Sequence, residues 1–278
     1  MPRPRALRIL RSPRGKARLL GRSREFLFGS ALLLFALAAT AHGEDWTIVS
    51  ANSEPGRAGV SHRHIVLENA ATRQIAVDLA IFSTKSCSLR VIQNENGAAA
   101  LGDMMRQEGC LASVNGGYFN DKFAPIGLRI VNGQMIASLQ RARLITGVLV
   151  ASSRGVQIVR TREFSQHQKI LAAIQCGPFL VDGSRRVPGL NALQRARRTF
   201  AATGTNGRAL LGFCSEISLA DLATVLATTP IAGDSKIERA LNFDGGSSSA
   251  FWFARENGSA FSIPERKPVR DFVALVPK

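Results

Sequence analysis

Asp244 closes an apolar run, Leu241-Asn242-Phe243, and is followed by Gly245-Gly246-Ser247-Ser248-Ser249 before apolar residues resume at Ala250-Phe251. A carboxylate placed there is partly removed from water. This disfavours its charged form and prepares it to act as a base, a nucleophile or a metal ligand. Gly245 and Gly246 have no Cβ, so the backbone can take positive φ and come close to a ligand. The three serine hydroxyls and the exposed amides suit sugar hydroxyls or phosphate oxygens. The same residues also allow a plainer reading, since Asp-Gly between apolar runs is a common hairpin signal.

Three other stretches combine a strand end, glycines and a polar side chain: Asn115-Gly116-Gly117-Tyr118-Phe119, Gly177-Pro178-Phe179-Leu180-Val181-Asp182-Gly183, and Arg198-Thr199. An arginine brings a planar fork that holds a phosphate through two parallel bonds. Taken singly, each stretch has a structural reading: Asn115-Gly116 as a turn, and Arg198 as one solvated member of the basic run Arg195-Ala196-Arg197-Arg198. Asp182 and Asp271 read as turn or strand-end residues. Glu216 is either a second acid or a structural neighbour of the helix cap at Ser218. His62 and His64 share one strand face without a third ligand in view, and His167 is isolated, so no metal site or cofactor is expected. A divalent cation assisting Asp244 stays open. The chain has no GxSxG, HExxH or GxxxxGK[ST] pattern, which weighs against serine hydrolases, zincins and nucleotide-binding proteins.

The elements that must position these residues are mostly strands. Trp46-Val49, His64-Leu67, Ile75-Phe82 and Leu89-Ile92 are rich in β-branched residues and separated by turn residues. Asn132-Gly133, Ser152-Gly155 and Asn206-Gly207 predict three hairpins. Ala98 to Glu108 predicts a helix stopped at Gly109, and Ser218-Leu219-Ala220-Asp221 reads as a capping box opening a second helix through Leu226. Residues 183–198, polar and Arg-rich around Pro188-Gly189, predict a mobile loop. The fold class expected is α+β: a single domain with a mixed, largely antiparallel multi-stranded sheet and two or three packed helices.

Nine Arg or Lys in the first 24 residues, an uncharged apolar run from Phe26 to Ala39, and Ala39-Thr40-Ala41 before polar residues resemble a secretory leader. The expected division is a leader over residues 1–43, cut after Ala41 or Gly43, and a domain over residues 44–278. The run is short for a membrane span, although an uncleaved anchor remains the alternative. The formal charge of +16 is inflated by this leader. Outside it, the basic residues gather in patches such as Arg141-Ala142-Arg143 and Arg185-Arg186, without the interleaved aromatics of a single-strand nucleic-acid platform. An anionic small substrate or cell-envelope polymer is the better expected partner, with no nucleic acid and no stable membrane span after leader removal. The localisation expected is periplasmic or secreted. All four cysteines follow the leader, and short loop closure favours Cys87–Cys110 and Cys176–Cys214 as disulfides, with buried free thiols as the alternative.

In their order along the chain, N-G-G-Y-F at 115–119, Pro125-Ile126-Gly127-Leu128, G-P-F-L-V-x-G at 177–183, Arg198-Thr199 and N-F-D-G-G-S-S at 242–248 resemble the phosphodiester glycosidase family, with Val269-Arg270-Asp271 as a weaker sixth motif. The resemblance spans about residues 60–276. It implies Asp244 as the central carboxylate, with Asn115 and Tyr118 facing it and Arg198 with Thr199 on the phosphate side. Gly116, Gly117, Gly177, Gly245, Gly246, Ser247 and Ser248 are implied to contact substrate. It further implies hydrolysis of a sugar-1-phosphodiester. Cleavage of the phosphate ester bond, or a non-catalytic carbohydrate-binding or exopolysaccharide-assembly role, are the other classes kept. Ser247 stands where the family pattern carries a third glycine, and Ser215-Glu216-Ile217-Ser218 stands where it commonly has Ser-x-Gly. These departures bear on substrate identity more than on reaction type.

Overall fold

The computed structural model describes residues 45–166 and 169–278. The leader expected over residues 1–43 and the isolated His167 lie outside the described residues. Among the described residues the strands form three sheets, and every pairing is antiparallel. The first sheet has eight strands in the spatial order Trp46–Pro55, Ser61–Asn69, Gln74–Ser83, Arg208–Ile217, Ala196–Gly204, Ile237–Asn242, Phe179–Asp182 and Arg185–Arg186. The second runs Gln134–Ala137, Arg129–Val131, Ile170–Cys176, Gly147–Ser152 and Gly155–Arg160. The third runs Ala260–Ile263, Phe251–Ala254, Ala112–Asn115, Asp271–Pro277 and Cys87–Gln93.

The three sheets pack against one shared core, in which Leu89, Val91 and Val273 of the third sheet meet Leu149 and Ile174 of the second and Ala80, Leu211 and Phe243 of the first sheet's side. The helices cover the outer faces. Helix α1 (Leu101–Gln107) buries Leu101 and Met105 against the third sheet, and Gly109 at φ 62° turns the chain out of it. Helix α2 (Leu219–Thr228) packs Leu222, Ala223, Val225 and Leu226 on the first sheet. Its cap is the expected one: the Ser218 hydroxyl accepts from the Asp221 amide at 3.1 Å and donates to the Asp221 carboxylate at 2.8 Å. The fold is thus more sheet-dominated than the sequence predicts, with three sheets rather than one. No helix of the described residues is long and apolar enough to cross a membrane.

The predicted hairpins form, with Asn132 and Gly133 at φ 50° and 83° as a two-residue loop between twisted strands requires. Residues 183–198 do not form the uniform loop expected. Arg185–Arg186 pairs with Val181 and Asp182, and the strand Ala196–Gly204 takes in Arg197, Arg198 and Thr199. Arg197 and Arg198 point to opposite faces of that strand, each buried by its own contacts, which is why a run of basic residues is tolerated in a sheet.

The expected disulfides are not made: all four cysteines are buried free thiols. Cys87 pairs with Pro277, and Leu111 bonds Leu275 from the opposite side of the same strand. Cys87 and Cys110 therefore flank a common strand. They are separated by about two interstrand spacings, roughly 9–10 Å, beyond disulfide reach. Cys176 faces the shared core and Cys214 faces the α2 side. Burial pushes the thiols of Cys110 and Cys176 up to about 11 and about 12, leaving them unreactive as nucleophiles. Alkylation of the purified protein under native conditions is expected to label none of the four, and denaturation without reductant to label all of them; a disulfide-linked peptide would contradict this arrangement.

Candidate active site

The motifs converge because each sheet ends a strand at the same place. The first sheet delivers Asp244 from the end of Ile237–Asn242, and the neighbouring strand delivers Arg198 and Thr199, whose backbone carbonyl accepts from the Phe243 amide at 2.8 Å. The second sheet delivers Gly177 after Ile170–Cys176, and Arg129 from its own hairpin. The third delivers Asn115 and Asp271, with Phe272 paired to Asn115.

At the base lies a buried ion pair. Arg129 is fully buried; its Nε donates to Asp271 Oδ2 at 2.8 Å, Nη1 donates to the Gln175 and Leu128 carbonyls, and Nη2 donates to the Tyr118 carbonyl at 3.2 Å. The other Asp271 oxygen accepts from the Gly117 amide at 2.9 Å. Gly116 and Gly117 are required by this packing, because a Cβ on Gly116 would land on the Asp271 carboxylate and one on Gly117 on the Arg129 guanidinium. Asn115 is buried too: its Nδ2 donates to the Asp244 carbonyl at 2.8 Å and its Oδ1 accepts from the Ala250 amide at 3.1 Å. Asn115 therefore clamps both ends of the turn that carries Asp244 rather than facing the Asp244 carboxylate, as its place in the motif implies.

Above this base, the Tyr118 hydroxyl donates to the Gly177 carbonyl at 2.8 Å, and Asn242 Nδ2 donates to the same carbonyl at 3.1 Å. Burial holds the Tyr118 hydroxyl well above the ordinary phenol range, with Asp244 adding to the effect. Asp244 Oδ1 accepts from the Gly245 amide at 2.9 Å, and the Ser248 side chain hydrogen-bonds the carboxylate. Burial still raises Asp244 above its ordinary range; the Ser248 and Gly245 hydrogen bonds pull the other way, and the nearby Asp271 charge pushes up again. No Lys, Arg or His forms an ion pair with Asp244 among the described residues.

Arg198 spends Nε on the Ile217 carbonyl at 3.2 Å and Nη2 on the Gln194 carbonyl at 2.9 Å, while Nη1 lies 3.5 Å from where a Cβ on Gly245 would sit. Two bonds thus aim the guanidinium and leave its remaining corner beside the Asp244 turn. Thr199 contributes backbone to the Asp244 strand from a fully buried position. Gly246 at φ 65° opens a short 3₁₀ turn through Ser248, and the Ser247 carbonyl accepts from the Arg266 amide at 2.7 Å.

Other candidates lie apart. Asp182 pairs with Arg160 and Arg239, and Glu216 is exposed. Both ring nitrogens of His62 are taken by Glu54 at 2.7 Å and Asp78 at 2.9 Å, and His64 meets the same Asp78 oxygen. No group of three or more His, Cys, Asp or Glu with metal-binding geometry occurs among the described residues. Sequence reasoning missed Arg129, gave Asn242 no role beyond its place in the N-F-D-G-G-S-S motif, and read Asp271 as a turn or strand-end residue within a weaker motif. The available signal was a lone charge inside the apolar strand Leu128-Arg129-Ile130-Val131. Replacing Arg129 with Met is expected to cost about 3–5 kcal/mol, because Asp271 is left buried without a counter-charge. Chemical denaturation checks this, and a loss below about 1 kcal/mol, the scale of an exposed pair, would show the pair is not structural.

Residues 108–276 match the phosphodiester glycosidase family. The catalytic domain of zebrafish N-acetylglucosamine-1-phosphodiester alpha-N-acetylglucosaminidase, auto-inhibited by its pro-peptide, superposes with a TM-score of 0.59 at 14% identity, covering 86% of this chain and 85% of that one. A hypothetical protein from Synechocystis does so with a TM-score of 0.57 at 15% identity, over 82% of this chain and 64% of that one. The uncharacterized protein YigE of Escherichia coli K12 is 33% identical over 91 residues, 30% of this chain and 36% of its own length. The match thus spans about a third of that relative. With a family match running over well more than half of its length, from before the Asn115 motif to beyond Asp271, this chain belongs to the phosphodiester glycosidase family.

Proposed function

We propose that this protein is an exported hydrolase that cleaves the glycosidic C1–O bond of a sugar-1-phosphodiester in a cell-envelope or extracellular glycan. The observation that carries this reading is the pairing of Asp244, partly buried and without an ion-pair partner among the described residues, with the uncommitted corner of Arg198 across Gly245. Family membership supports hydrolysis, and the basic leader supports export.

In this mechanism the C1–O bond breaks with its electron pair leaving on the phosphate oxygen. Positive charge develops at the sugar, and the Asp244 carboxylate stabilises it. A phosphate monoester has a second pKa near 6, so it departs with little protonation once its charge is held. Arg198 Nη1 and the donors of the turn that Asp244 does not take, at Gly246 and Ser247, hold it. Water completes the bond at C1 and releases a proton. A glycosidase with a poor leaving group needs two carboxylates; here the arginine takes the place of the general acid. Asp271 does not serve as a second acid, being engaged by Arg129 and the Gly117 amide. Tyr118 and Asn242 fix Gly177, and Asn115 fixes the turn itself.

Asp244→Asn is expected to lower hydrolysis of a sugar-1-phosphodiester by roughly 10³-fold. Its stability at neutral pH is expected to be unchanged or higher. The sign follows from the raised carboxyl: stability tied to the protonated form is full below the ordinary aspartate range and lost as pH rises through the folded value, so the charged form at neutral pH is a net cost. Thermal melts with activity assays check both halves; retained activity would remove Asp244 from the mechanism. Hydrolysis in ¹⁸O-labelled water is expected to place label in the sugar, and label in the phosphate would replace this reading with cleavage of the P–O bond.

A further inference from the structure

The patch Arg141-Ala142-Arg143, which the catalytic arrangement leaves unused, lines a cavity of 1040 Å³ together with Leu139, Arg160, Arg162 and Phe164. That volume is at the upper end of small-molecule sites, which run to about 1,000 Å³, and exceeds what one sugar residue fills. Four guanidinium groups border it, and no Asp or Glu does. Arg160 is committed to Asp182 at 2.8 Å and lies over the Phe179 ring. Arg141, Arg143 and Arg162 are exposed and form no ion pair among the described residues. Leu139, Ile145 and Phe164 add apolar surface of the kind that sugar rings pack against.

The Ile145–Thr146 wall of this cavity packs on Gly177. Gly177 packs so closely on the Leu144–Thr146 backbone that a Cβ there would lie 2.7 Å from the Thr146 amide, while its carbonyl takes Tyr118 and Asn242. The segment is fastened rather than loose: the fully buried Gln175 donates to the Gln140 and Ile145 carbonyls at 2.6 and 3.0 Å, and Thr146 Oγ1 accepts from the Phe179 amide at 2.9 Å.

We infer that this arginine-lined groove is an extended subsite for a polyanionic substrate, a glycan whose sugars are joined by repeated phosphodiesters, so that further phosphates along the polymer bind there while one linkage lies at Asp244. The substrate class rests on the hydrolase reading above. A single diester does not need three free guanidinium groups beyond Arg198; a chain of phosphates does, and each added contact makes the next intramolecular.

The test uses the full-length chain carrying Asp244→Asn, with and without Arg141→Gln, Arg143→Gln and Arg162→Gln. Fluorescence anisotropy follows a labelled hexamer of N-acetylglucosamine-1-phosphate, a labelled single-unit diester, and vesicles containing phosphatidylglycerol. The hexamer is expected to bind at least tenfold tighter than the single unit, more weakly as salt rises, and to lose at least tenfold in the triple variant while the single unit is unaffected. Equal hexamer binding by both proteins would overturn the inference. So would vesicle binding that depends on the arginines when hexamer binding does not, which would assign them to a membrane surface. Because binding needs no turnover, arginine-dependent hexamer binding, together with a wild-type chain that hydrolyses neither the hexamer nor the single-unit diester, would uphold the groove and remove the hydrolase reading.

Discussion

The buried pair of Arg129 and Asp271 is the constraint on which the site depends. A guanidinium and a carboxylate removed from water are costly to bury separately, and here each is satisfied: Arg129 by Asp271 and by carbonyls of three separate segments, and Asp271 also by the Gly117 amide. Because Arg129 comes from the second sheet and Asp271 from the third, the pair fixes how those sheets meet. The glycines at 116 and 117 follow from it, since any side chain there would displace one of the two charged groups. By contrast, an exposed pair such as Arg106 with Asp103 is worth at most about 1 kcal/mol.

From that base the geometry propagates upward in hydrogen bonds. The chain that leaves Asp271 and Gly116 reaches Asn115, which holds the Asp244 turn by its backbone; the chain that leaves Arg129 reaches Tyr118, which holds Gly177. The Asp244 carboxylate is consequently placed by its main chain, and its side chain has no ion-pair partner among the described residues. A carboxylate locked in an ion pair would have a depressed pKa and little capacity to meet a developing cation. Burial with only two hydrogen-bond donors leaves Asp244 raised instead.

Much of the site was legible in the sequence because the motifs are local: strand end, glycine and polar residue recur at Asn115, Gly177 and Asp244, and the hairpins and both helices carry their own turn and cap residues. What was not legible depended on partners distant in sequence. Arg129 is one charge in an apolar strand until Asp271, 142 residues away, is placed beside it. Arg198 looked like loop because basic residues are usually solvated; it is a strand residue through its pairing with Cys214, and the Gln194 and Ile217 carbonyls are what satisfy its buried guanidinium. Asn115 opens the same motif as Tyr118, yet its side chain clamps the turn that carries Asp244. The cysteine pairing failed for the same reason: short sequence separation says nothing about which face of a sheet each thiol occupies.

The central claim is that Asp244 is the ionising group of the reaction, and the acid limb of the pH profile of kcat/KM for a sugar-1-phosphodiester tests it directly. The Ser248 hydrogen bond favours the charged carboxylate, so its removal must raise the value further. The account predicts an acid limb above the ordinary aspartate value of about 3.9 and a shift of that limb to higher pH in Ser248→Ala. A limb at the ordinary carboxylate value that does not move in the variant would contradict it.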